Sequence, residues 1–207
     1  MKRSQKPTSL RSAASSRVSS SLRLIVALQV CASLQVSAQR ASLVAGVTTR
    51  DAGAVRAAAW EAGLQQPVLL VAQAFSLTFN GAKVGALISG IAATPRAHST
   101  EAHVCFTAYV PTTGRMTLIQ TVGSGRWEAV NCTGVEAVGV SRSARKGRIV
   151  IAFIYAGTSP NSDVKEPVVF DIQNWHFSLD SVATSGASLR GATTVKAAFA
   201  ASTKRSS

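Results

Sequence analysis

The sequence predicts a mainly β protein, an antiparallel sandwich or barrel of about seven to nine strands with one helix near its start and a candidate second helix at its end. Three observations carry that prediction. From residue 104 onward, short runs of period-two alternation recur between turn-rich stretches. Asn80-Gly81 divides a long apolar run, and that dipeptide suits a type I′ turn because both central residues need a positive φ. Helical spacing flanked by capping residues marks the stretch 48–67 near the start of the domain.

The first 38 residues read differently from the rest. They hold Lys2, Arg3, Lys6, Arg11, Arg17 and Arg23, and no acid occurs before Asp51. Leu24 to Ala38 is apolar but broken by Gln29, Ser33, Gln35 and Ser37, and 15 residues fall short of the roughly 20 that span a bilayer, so no permanent membrane anchor is expected. Small residues Val36-Ser37-Ala38 end it, which predicts a secretory signal cleaved between Ala38 and Gln39. The long Ser- and Arg-rich start also has the composition of an organellar transit peptide, which is the competing expectation. Cys31 lacks the small preceding residue of a lipid-attachment box. Residues 39–207 are the right length for one domain with a real core. Without the six basic residues of the leader, the formal net charge falls from +13 to +7, compatible with anionic partners without requiring them.

Within that domain, Thr49 and Asp51 are the candidate caps of a helix over 50–63, with Val55, Ala59 and Ala62 along one face and Gly63 and Pro67 at its end. Trp60 and Leu64 form a second apolar pair expected to pack on a sheet. Residues 68–93 hold Lys83 as their single charge and are predicted to be two strands joined at Asn80-Gly81 rather than a membrane segment. "RIVIAFIY" (148–155) is apolar on both faces and therefore central. "WHFSLD" (175–180) alternates as a half-exposed strand should, and "AGTSPNSDVKEP" (156–167) reads as the longest loop, where recognition most naturally sits. A last helix is expected from Thr193, with Val195, Ala198 and Phe199 on one face, before a frayed tail.

Several residues invite chemistry. Cys105 and Cys132 form an even pair expected to be a disulfide in an oxidising compartment. Cys105 beside His103 could instead be a nucleophile with its base, a reading the disulfide excludes. His176, Ser178 and Asp180 are hydrolase residue types on one strand face, but same-face neighbours stand nearly 7 Å apart and point in parallel, whereas a triad converges through contacts of about 3 Å. His98, Glu101 and His103 are possible zinc ligands that neither a strand nor a helix gathers on one face, so no metal or cofactor is expected. Arg142, Arg145, Lys146 and Arg148 crowd one interstrand connection and form the candidate anion site. Its stretch holds no aromatic residue for base stacking, which disfavours nucleic acid. "GSGRW" (123–127) reads as a hairpin turn, and Trp127 and Trp175 are either core or the lining of a groove. Asn131-Cys132-Thr133 matches the glycosylation acceptor pattern.

With no acid, base and nucleophile at supportive spacing, the expectation is a secreted or periplasmic, non-catalytic binding or structural module with an anionic envelope or extracellular ligand as the partner class. An exported hydrolase using His103 or His176 is the rival. Oligomeric state has no sequence signal, although the 68–93 strands are apolar enough to pair with another chain.

Overall fold

The structure is a computed structural model and describes residues 40–96, 99–141 and 147–203. Among these are nine strands in two antiparallel sheets. The first sheet runs β1 (Ala41–Ala45), β2 (Gln65–Phe79), β3 (Ala82–Arg96), β4 (Ser99–Pro111) and β5 (Thr117–Gln120), side by side in chain order. The second runs β6 (Asn131–Val140), β7 (Arg148–Ser159), β8 (Ser162–Gln173) and β9 (His176–Leu179), again in chain order. The two ladders are separate and their facing sides share one core, a sandwich-like packing. Helix α1 (Thr49–Glu61) links β1 to β2, and α2 (Ser181–Leu189) and α3 (Val195–Thr203) follow β9. None of the described helices is long and apolar enough to cross a membrane.

Alternation along the strands builds the layers. Leu77, Leu87, Cys105 and Tyr109 of the first sheet share one core with Ile151, Phe153, Tyr155, Val168 and Phe170 of the second. The opposite face of the first sheet presents Ala86, Ile88, Val104 and Phe106 to Val55 and Ala59 of α1. Behind the second sheet, Ala152, Ile154 and Val169 meet Ala183, Ala187 and Ala198 of α2 and α3. Thus β7 is apolar on both faces because one meets a sheet and the other meets helices. Within the intersheet core lies a buried polar chain: Ser89 Oγ contacts Thr107 Oγ1 at 3.1 Å, and Thr107 Oγ1 contacts Tyr155 Oη at 2.6 Å. Every polar group in it is satisfied, so it ties β3 and β4 to β7 without an unpaired donor.

Local chemistry sets the ends of α1. Thr48, one residue before the expected caps, is the N-cap, its Oγ1 accepting from Asp51 N at 3.1 Å. At the other end Gly63 takes φ +79, Gly63 N donates to Trp60 O and Leu64 N to Ala59 O, the paired bonds of a Schellman motif. Leu64 and Ala59 are both buried there, whereas Trp60 is exposed, contrary to its expected sheet packing. Asn80 and Gly81 adopt φ +51 and +81 between Phe79 and Ala82, the two-residue turn that the sequence predicts.

Three expectations change. Residues 156–167 are not a loop: β7 and β8 pair through to Ser159 and Ser162, leaving a two-residue turn. Pro167 is tolerated in β8 because β9 reaches only Phe170 to Gln173 on its outer side. Strand β9 stops at Leu179, where Asp180 caps α2 by accepting from Ala183 N at 2.8 Å; the Ala- and Ser-rich stretch after it carries too little hydrophobic contrast to show helical period. Residues 125–127 form one 3-10 turn in the crossing between sheets rather than a hairpin, and β6 starts only at Asn131. The final helix begins near its expected place, with Thr194 Oγ1 accepting from Ala197 N at 3.2 Å.

Candidate ligand-binding site

Two type I′ hairpins meet at one end of the sandwich. The β2–β3 turn is Asn80-Gly81, and the β8–β9 turn is Asn174-Trp175, with φ +51 and +63. In the first turn glycine accepts the left-handed backbone freely. In the second a tryptophan holds it, at a cost of roughly 1–2 kcal/mol for an L-residue with a bulky side chain. Trp175 is nonetheless 51% exposed, so burial does not explain its presence there.

Beneath it is a cavity of about 170 Å³ lined by Phe79, Gly147, Ile149, Ile172, Asn174 and Trp175. Phe79 belongs to the inner face of the first sheet, and Ile149 and Ile172 to that of the second. The cavity is therefore the open end of the intersheet core, with Trp175 at its rim. Trp127, the other tryptophan of the sequence expectation, is core: it is 7% exposed, with the Arg126 guanidinium 4.6 Å from its ring centre. Strand propensity places Trp175 inside a strand on paper. The Asn174 before it is the one local signal of the turn.

Several of the remaining candidates have structural partners. Cys105 on β4 and Cys132 on β6 are buried and stand at disulfide distance across the two sheets, Cα atoms 5.5 Å apart. In that state Cys105 is no nucleophile. Arg148 donates from Nε to Asp171 Oδ2 at 2.8 Å and from Nη2 to Asp180 Oδ2 at 2.6 Å. Ser178 Oγ donates to Asp171 Oδ1 at 2.6 Å. Asp180 divides its carboxylate between Arg148 and the α2 cap, while His176 is exposed beside Trp175. His103 N donates to Asn131 Oδ1 at 2.6 Å, bridging β4 to β6 and engaging the amide of the acceptor pattern. Among the described residues, no three His, Cys, Asp or Glu side chains gather closely enough to hold a metal ion. Ala38, Gln39, His98, Arg142, Arg145 and Lys146 lie outside the described residues.

Two tyrosines titrate abnormally. Burial pushes the hydroxyls of Tyr109 and Tyr155 up to about 12, in Tyr155 against the opposing pull of hydrogen bonds with Thr107 and Thr121. Both sit in the core, away from the cavity lining. No family model matches the chain, and neither a curated protein nor a solved structure does.

Proposed function

We propose that the protein is an exported, non-catalytic binding module of the cell envelope or extracellular space, which takes its ligand at the sandwich end that carries Trp175. One observation supports this above the rest: a left-handed tryptophan, half exposed, rims an apolar cavity where the neighbouring hairpin uses glycine. Strain retained without a packing return points to function. The hydrolase rival has less support, since Ser178 and Asp180 are bound to structural partners. A buried cysteine pair between the sheets suits an oxidising compartment.

An anionic ligand fits the charge. Arg148 is neutralised by two carboxylates, which leaves Arg142, Arg145 and Lys146 as the cations of the proposed anion contact. In sequence, Lys146 immediately precedes Gly147 of the cavity lining. The test is retention on heparin, and on vesicles of anionic lipid, across a salt series. Replacing Arg142, Arg145 and Lys146 together by Gln is expected to weaken retention at low salt and flatten its salt dependence. Unchanged retention rejects the anion contact.

A further inference from the structure

We propose that the cavity beneath Trp175 seats a single aromatic ring of the ligand. This rests on the reading of that sandwich end as a binding site and adds the ligand class. Size comes first. A cavity of about 170 Å³ is close to the roughly 150 Å³ of an apolar protein cavity that takes up benzene, which is room for about one ring.

Lining chemistry then chooses among groups of that size. Phe79, Ile149 and Ile172 offer carbon, and Asn174 is the one polar side chain of the lining among the described residues. A pyranose ring would turn hydroxyls on its inner side against Phe79, Ile149 and Ile172, which cannot pair with them. An aliphatic chain would fill the space without using the ring faces. Trp175 and Phe79 favour an aromatic guest, because offset or edge contacts between rings add to area burial. Asn174, next to Trp175 in the same turn, is placed to meet one polar substituent on that ring, such as a phenolic hydroxyl.

The strain at Trp175 has the same explanation. At the second position of a type I′ turn the backbone is fixed by the two strands, so its side chain is held at the cavity mouth without the freedom of a longer loop. The fold presents a preorganised aromatic wall, which reduces the ordering cost of binding.

The experiment is a titration of 4-fluorophenol, a neutral ring with one hydroxyl, followed by fluorine NMR on the full chain. Trp175→Gly removes the wall in a turn that accepts glycine, and Ile172→Phe fills the cavity from the second sheet. Near-ultraviolet circular dichroism checks that each variant is folded. Saturable binding to the unaltered chain, weakened roughly tenfold or more by each folded variant, is the expected result. Absence of saturable binding, equal affinity in a folded variant, or tighter binding of methyl glucoside or hexanol overturns the proposal. Heparin retention on the same preparation separates the two readings. Retention that depends on Arg142, Arg145 and Lys146 without ring binding removes the aromatic guest alone, and failure of both removes the binding site as well.

Discussion

Replacing Cys105 and Cys132 together by Ala asks how much of the sandwich depends on the cysteine pair that joins its two sheets. The pair closes a segment with a sequence separation of 27 residues, which contains β5, the 3-10 turn and the single passage of the described chain from the first sheet to the second. In the loop-entropy treatment that closure removes about 12 cal/mol/K from the unfolded chain, or roughly 3.5 kcal/mol at 25 °C. Both sulfurs are buried, and deleting them adds of order 1 kcal/mol each for lost packing. For a domain of this size, 1 kcal/mol moves the melting temperature by about 2–4 °C, so the entropic part alone predicts a fall of roughly 7–14 °C. Thermal and guanidinium unfolding of the oxidised chain and the double variant measure it. Counting free thiols before and after denaturation supplies a control, since a pair buried between sheets should resist reductant until the sheets part. A fall below about 2 °C, or reduction as fast in the native as in the denatured protein, would refute the reasoning.

Two further perturbations test the core. Gly90 on β3 faces Phe106 on β4, whose ring occupies the space a Cβ would need; Gly90→Ala should cost about 1–3 kcal/mol in chemical denaturation, with partial recovery when Phe106→Leu is added, and a neutral effect would mean the ring does not cover the glycine. Tyr155→Phe should cost about 1–2 kcal/mol at pH 8 by removing the partner 2.6 Å from Thr107. Because burial raises the native Tyr155 hydroxyl from 10 to about 12, the unfolded chain loses its proton first, and this contribution to stability is intact below pH 10 and lost as pH rises toward 12. By pH 12 the loss is of order 2–3 kcal/mol in the unaltered chain and absent in the Phe variant, so their difference should shrink with pH and reverse sign near pH 12; a constant difference from pH 8 to 12 would contradict a buried, neutral tyrosine.

Sequence legibility varied with the range of the interaction. Asn80-Gly81 was readable because a type I′ turn is decided by two residues. The end of α1 at Gly63 was likewise local, although its true cap, Thr48, sat one residue earlier than the sequence favours. Helix α2 was not legible: its buried residues are Ala183, Thr184 and Ala187, small enough that only contact with β8 reveals which face is apolar. Thr184 is buried because its hydroxyl bonds to Val169 of β8, accepting from the N–H at 2.9 Å, and no periodicity encodes that. The length of the β7–β8 hairpin was hidden for a related reason, since polar residues at 158–166 extend as strands only once they pair with each other.

By itself, then, the sequence determined the β class, the first helix, the central β7 and the spacing that lets Cys105 and Cys132 meet, all of them consequences of turn chemistry, period and residue type. Tertiary structure alone decided which faces close on one another and what is left open. Phe79, Ile149, Ile172 and Trp175 become neighbours because two sheets pack face to face and a two-residue turn lifts Trp175 out of its strand. Arg148 is directed to Asp171 and Asp180 by the same arrangement, since β7 lies against β8 and α2 begins where β9 ends. A cavity and an ion pair belong to distances between residues far apart in the chain, and those distances exist only after the core has closed.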